Sequence, residues 1–540
     1  MEASSKLTEE NCHPSKSSLL SYDPLPGHPI ISDAKATDTG VDFYHRGLTS
    51  RRYALVGVAC SSIFSCLCIV AGIVTLANHG VSGVTVLNRF NSVDPKEHDT
   101  QVLLQEEMLT LILYSIVTLC TESVGFVHGI SLRSALASES RLRFNTNLRL
   151  LTAARGWYNP NGALLNGISA VLLIISYTSA TLIVCPDSHN MLPTQALFGD
   201  GVSIAGLPLL FLGVALLLQV MIALSGMRAV KILTWSSSPF DLTAALVHHT
   251  QLTPATFRCM RRVSDLDVDE GPAKPPETQP SAWHAHPSIR KVVISLWVIV
   301  AACAGWATLV IYIWNHFGES YSPPLTLQTW SFFRNGQSNN ITYYVPSVNL
   351  EAWILLFVVT AGIQGPLTLG LHCSELIMNV IRDETQWRCA TSRKGLRVAT
   401  NPLKPLFTHP ICLILFLAKP FLHWMFGLSF IITRVADSKN VMVLWVSMFT
   451  AQIWNLCIAL FIFACFFFTF VALRRPSGPQ PAAYGHVQTL ANLVDEWSPV
   501  MWWGHKEDGI PYCHAGTSDH PLPDVKMDRF YAGSSARSLI

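Results

Sequence analysis

Polar segments alternate along the chain with eight long apolar runs: Tyr53 to Ala77, Leu109 to Ile130, Ala163 to Cys185, Ser203 to Gly226, Val292 to Trp314, Trp353 to Val380, Pro410 to Thr433 and Val441 to Leu473. A helix needs roughly 20 mostly apolar residues to cross a hydrocarbon core about 30 Å thick, because it rises only about 1.5 Å per residue. Each run has that length, so the expected fold is all-α, a polytopic helical membrane bundle of about eight transmembrane helices. The runs divide the chain into a disordered N-terminal arm (1–52), a first four-helix half (53–228), a linker (229–291), a second four-helix half (292–473) and a C-terminal cap (474–540).

Basic residues orient these helices. Arg51 and Arg52 precede the first run. The loop after the second carries Arg133, Arg141, Arg143, Arg149 and Arg155, and the loop after the sixth carries Arg382, Arg388, Arg393, Lys394, Arg397 and Lys404. Pro186 to Val202 holds no Lys or Arg, and Asn315 to Leu350 holds only Arg334. The bias puts both termini, the linker and the cap in the cytoplasm, and a plasma-membrane location is expected. The sequon Asn340-Ile341-Thr342 falls on the opposite side, where Asn340 is a candidate glycosylation site. The first fifty residues are polar and lack the apolar core of a cleavable signal peptide.

Composition narrows the function classes. Half of the residues are hydrophobic and 13% are charged, against roughly 25% charged in soluble domains; the surplus apolar surface implies the lipid bilayer as a partner. A net charge of +2 without a basic domain gives no reason to expect nucleic acid. No P-loop, G-x-S-x-G, H-E-x-x-H or zinc-type Cys/His spacing is present, so no cofactor and no metal are expected. In the linker, Arg261-Arg262-Val263-Ser264 makes Ser264 a candidate phosphorylation site.

Internal similarity points to two parallel four-helix repeats. Glu139-Ser140-Arg141-Leu142-Arg143 follows the second run and Asn159-Pro160 precedes the third; Glu384-Thr385-Gln386-Trp387-Arg388 follows the sixth and Asn401-Pro402 precedes the seventh. Two amphipathic helix candidates, Trp235 to His249 and Tyr484 to Trp497, occupy matching places after the fourth and eighth runs. An even number of helices per unit makes such repeats parallel, related by an axis along the membrane normal. The linker from Val263 to Pro287 is expected to be flexible.

The tail motifs Tyr484-Gly485-His486, Trp503-Gly504-His505-Lys506, His514-Ala515-Gly516-Thr517-Ser518 and Met527-Asp528-Arg529-Phe530 resemble the tail of a family of uncharacterised multipass membrane proteins of filamentous fungi. The Trp235 to Phe240 segment fits as well. The resemblance implies a fungal membrane protein and lends no reaction. It departs at His505, where that family often has Asp.

Chemistry is sought among ionisable residues at membrane depth, since a charge there costs at least roughly 2.5–3.5 kcal/mol on insertion scales. Glu122 and His128 lie in the second run, His372 and Glu375 in the sixth, and Lys419 and His423 in the seventh. Helical phase puts His372 with Glu375, and Lys419 with His423, on shared faces. Gly365-Pro366 and Pro420 are expected to interrupt their helices, and Gly125 and Gly129 to allow close packing. The candidate intramembrane site is therefore Glu122, His372, Glu375, Lys419 and His423. Three function classes follow: a transport-like protein with an unknown small-molecule partner, a scaffold or sensor working through its tails with a protein partner, and a membrane-embedded enzyme using a His/Glu/Lys site. The lack of catalytic motifs favours the non-enzymatic, transport-like class.

Overall fold

The computed structural model describes residues 47–88, 95–145, 150–188, 201–265, 271–317, 323–335, 338–345, 348–398, 409–436 and 442–533. Residues 1–46 of the N-terminal arm, Asn401-Pro402, Arg149 and Lys404 lie outside the described residues, and the arm's last residues, Leu48 to Arg52, are not disordered but open the first helix. The helices are α1 (Leu48–His79), α2 (Pro95–Ser138), α3 (Ala163–Ile183), α4 (Gly206–Arg228), the short α5 (Pro239–His248), α6 (Pro287–Phe317), α7 (Leu350–Cys373), α8 (Glu375–Arg388), α9 (Pro410–Ser429), α10 (Thr450–Phe468) and the short α11 (Val487–Leu493). Eight spans are long and apolar enough to cross a membrane, with α7 and α8 forming one of them. Large apolar side chains such as Ile63, Leu67, Val298, Val358 and Ile462 stay exposed on the outer helix faces, a surface suited to lipid rather than water. The architecture is that of a multipass integral membrane protein.

The all-α expectation needs correction. Six strands form one sheet in the order β1-β3-β2-β6-β7-β4: β1 (Val84–Asn88), β2 (Val184–Ser188), β3 (Gly201–Ile204), β4 (Asn340–Val345), β6 (Phe430–Ala436) and β7 (Met442–Phe449). They lie in the connections after α1, α3, α6 and α9, all at one end of the bundle. Four of them take over the ends of runs expected to be helical throughout, including Phe430 to Thr433 and Met442 to Phe449. A continuous apolar run has no period to separate strand from helix, and these stretches are rich in Val, Ile, Phe and Trp, which suit strands. The first half contributes β1-β3-β2 and the second β6-β7-β4. They join where β2 runs parallel to β6, while the other pairings are antiparallel. Asp187 and Arg434 pair across that seam at 3.3 Å, and Thr85 donates to Asp187 at 2.6 Å.

At the other end, the α2–α3 connection, the linker, β5 (Leu396–Arg397) and the tail fold together as a cap. The tail supplies β8 (Val500–Glu507) and β9 (His514–Ser518), and β5 pairs with β8. Both expected amphipathic helices form, as α5 and α11, and they pack on each other through Leu242, Ala245, Leu246 and Val487. The linker is not a free tether over its described part: Ala273 and Tyr531 exchange backbone hydrogen bonds, and Tyr484 Oη donates to the Pro280 carbonyl at 2.8 Å.

Small residues set the closest helix approach. A Cβ on Gly72 would lie 2.8 Å from the Leu210 nitrogen, and one on Gly213 2.8 Å from the Ile69 nitrogen, so α1 and α4 meet backbone to backbone.

Candidate functional site

Lys419 is the tenth residue of α9 and is 1% exposed. Its ammonium bonds both Glu122 of α2 and Glu375 of α8, and lies 3.4 Å from His372 Nδ1 of α7. His372 Nδ1 is 3.1 Å from Glu375 Oε1 and 3.6 Å from Glu122 Oε1. Carboxylates from opposite halves thus share one lysine. α7 runs on into α8 through Ser374, which keeps helical torsions (φ −65°, ψ −16°) and the helical amide bond to the Gly370 carbonyl, and its hydroxyl donates to that same carbonyl at 2.8 Å. Neither Gly365-Pro366 nor Pro420 interrupts its helix as expected; each proline sits inside a continuous helix. His372 and Glu375, three residues apart, face the same point because they share one face of this helical stretch.

The fifth candidate, His423, is fully buried one turn beyond Lys419. Its Nδ1 pairs with Gln364 Nε2 at 3.0 Å, and its ring stacks on Tyr177 with centroids 4.0 Å apart. Tyr177 lies six residues before the end of α3, and His423 six before the end of α9. Gln364 also accepts from Thr181, whose hydroxyl meets that of Tyr114 at 2.7 Å. Tyr177 Oη meets Thr118 at 3.0 Å. A buried polar chain therefore links α2, α3, α7 and α9. His128, six residues beyond Glu122, is buried on a different face of α2.

Glu122 and Glu375 line a cavity of about 320 Å³ between α1, α2, α8 and α9, open on one side. Their side chains are 29% and 26% exposed, so the carboxylates face the cavity while Lys419 stands behind them. Phe126, Ile130, Met378 and Phe416 form apolar walls, and Arg133 and Arg382 close the cap end. Gly125 and Gly129 also line it. Glu122, His372 and Glu375 offer three ligand atoms within 4.8 Å of one another. The Lys419 ammonium already occupies the middle of that set and plays the part of the cation.

Sequence reasoning missed a second buried charge cluster. Arg334, the lone base of its loop, bonds Glu107 and reaches Glu106 at 3.2 Å; Trp424 Nε1 donates to Glu107 at 2.9 Å. The signal was available in a Glu-Glu pair just before the second apolar run facing a loop with one arginine. Asn340, at the start of the edge strand β4, is half-buried and accepts from Thr342 at 3.1 Å. Ser264 is exposed beside Asp265, which pairs with Arg262 at 2.8 Å.

A latch ties cap to bundle. Arg133 donates to Asn145 and to the Ser236 carbonyl, each at 2.8 Å, and Asn145 donates to Asp383 at 3.0 Å. Glu384 accepts the Ala483 and Tyr484 amides at 2.9 and 2.8 Å. Phe144 lies edge-on to both His286 and His486, and burial, with Arg143 nearby, pushes both imidazoles down to about 4. Within the cap, His514 Nε2 meets Asp495 at 2.8 Å and Lys506 meets it at 3.0 Å. Burial opposes the charged form of His514, but its bond to Asp495, with Cys259 nearby, outweighs this and pushes it up to about 9. Burial also opposes the charged form of Asp495, yet His514 and Lys506 hold it well below the usual carboxylate range.

Compared with protein-family models, with curated proteins and with solved structures, the chain shows no match.

Proposed function

We propose that the protein is a transport-like, non-enzymatic multipass membrane protein whose ligand-facing groups are Glu122 and Glu375. One observation carries this: two carboxylates, one from each half, line a shared cavity while a single buried ammonium bonds both from behind. Two carboxylates against one lysine leave one negative charge, which suits a proton or a small cationic group as cargo.

The strand order supports a duplicated architecture. The halves contribute matching strands in palindromic order around the parallel β2–β6 seam, and Tyr177 and His423 stack at matching positions. Both suit a two-fold axis along the membrane normal. The distribution of Arg and Lys supports cytoplasmic termini, which leaves Asn340 on the opposite side for glycosylation and Ser264 in the cytoplasm for phosphorylation. The scaffold class has one observation in its favour, the folded and latched cap. The enzyme class gains the His372–Glu375 contact but not the closed pocket it requires.

Reconstitution tests the proposal. Vesicles holding the protein and an internal pH-sensitive dye should pass protons faster than protein-free vesicles under an imposed pH gradient. The double variant Glu122→Gln with Glu375→Gln should slow this by about tenfold or more. Flux equal to that of empty vesicles would remove the proton-carrier reading.

A further inference from the structure

The hairpin that ends the cap carries a second cluster of ligating side chains, unrelated to the intramembrane lysine. β8 and β9 pair antiparallel with a register shift between His505 and Glu507, and the connection between the strands brings Asp508 and Cys513 back to His505. His505 Nε2 is 3.3 Å from Asp508 Oδ1, and Cys513 Sγ is 3.7 Å from that same oxygen. All three ligand atoms lie within 4.8 Å of one another. Zinc binds imidazole nitrogen at about 2.0–2.1 Å, carboxylate oxygen at about 2.0–2.2 Å and thiolate at about 2.3 Å in a tetrahedron. Those bond lengths place nitrogen and oxygen about 3.4 Å apart, and sulfur and oxygen about 3.6 Å apart. The nitrogen–oxygen and sulfur–oxygen spacings in the cap, 3.3 and 3.7 Å, match these values.

The surroundings also suit a metal. Tyr531 Oη sits 2.9 Å from His505 Nδ1 and accepts the Lys526 amide at 2.8 Å, so the far side of the imidazole is fixed and Nε2 is aimed at Asp508 and Cys513. His505 and Cys513 are 7% and 4% exposed, whereas the Asp508 side chain is 67% exposed. Two ligands are thus held in the cap interior while the third closes over the mouth. Lys526 Nζ lies 2.6 and 2.7 Å from the two Asp508 oxygens. An exposed pair of this kind is worth about 0–1 kcal/mol and yields readily to a divalent ion.

We propose that His505, Asp508 and Cys513 form a site for a zinc-class divalent transition metal, with the fourth position open to water. The mixed N, O and S donor set selects this class over calcium or magnesium, which take oxygen ligands. The ligand positions are separated by two and then four residues, unlike zinc-finger spacing, which is why pattern alone gave no metal. The site is independent of the transport proposal.

The test uses the purified full-length protein in detergent, without a polyhistidine tag, titrated with cobalt(II) and then zinc(II). One equivalent of cobalt should bind with a thiolate-to-cobalt absorption band in the near ultraviolet, and zinc should abolish the band. Cys513→Ser should lose the band while Cys259→Ser keeps it. Asp508→Asn, at an exposed position, should weaken binding by about tenfold or more while leaving the thermal transition of the metal-free protein in place. Lys526→Met should bind several-fold more tightly, since the competing ammonium is gone. No band in the wild type, or wild-type affinity in both Cys513→Ser and Asp508→Asn, would overturn the proposal.

Discussion

Among the described residues, two sets of three ligating groups have similar spacing, and the molecule treats them in opposite ways. In the bundle, Glu122, His372 and Glu375 converge on Lys419, a cation supplied by the chain itself. In the cap, His505, Asp508 and Cys513 converge with a lysine only at the rim. The difference follows from the surrounding medium. A carboxylate pair at membrane depth cannot wait for an ion from solution, because each charge must be compensated as the helices assemble. A site at an aqueous surface can stay open, because water solvates Asp508 until an ion arrives.

The largest effect should come from removing the internal cation. Lys419→Met leaves two carboxylates facing each other, and breaking a buried ion pair by deleting one partner costs about 3–5 kcal/mol. Thermal unfolding in detergent should show that loss. Adding Glu122→Gln should recover part of it, with a coupling energy of about 1–3 kcal/mol in a double-mutant cycle. A Lys419→Met protein as stable as wild type would mean that the carboxylates do not depend on the lysine, and the contrast with the cap would vanish.

A smaller effect should appear at the latch between the two regions. Gly485 has φ +72°, and a Cβ there would come within 2.6 Å of Asp383 Oδ2. Gly485→Ala should cost about 1–3 kcal/mol through strain and displacement of Asp383. It should also speed proteolysis in the cap while leaving the bundle intact. Equal protection of the cap in variant and wild type would show that it is held by α5 and α11 rather than by this turn.

How much of this was legible in the sequence differs between the same two regions. The membrane spans were visible because the bilayer imposes a length on apolar runs, and Lys419 was visible because charge is rare there. Helical phase joined His372 to Glu375 and Lys419 to His423, whereas the contacts of Lys419 with Glu122, His372 and Glu375 run between helices, and only packing shows them. The sheet was hidden because runs such as Met442 to Phe449 are apolar on both faces and carry no period. The cap cluster was hidden for another reason. Its ligands meet through a strand bulge and a return loop, and no rule of local spacing encodes that geometry.

The smallest effect is a pH dependence confined to the cap and its seam. His514 is raised to about 9 in the folded protein by Asp495 and Cys259. Its contribution is therefore full below the unfolded value of about 6.5 and is lost as pH rises through about 9. His286 and His486 are lowered to about 4 at the Phe144 seam. The unfolded chain takes up protons there first, so stability falls as pH drops from about 6.5 toward about 4. Cap protection should thus peak near neutrality and decline on both sides, by about 1–2 kcal/mol at pH 9. Hydrogen exchange of the β8–β9 amides across this range measures it. His514→Gln should flatten the alkaline side alone and His486→Gln should weaken the acid side, whereas a bundle as sensitive as the cap would mean that the two regions unfold as one unit.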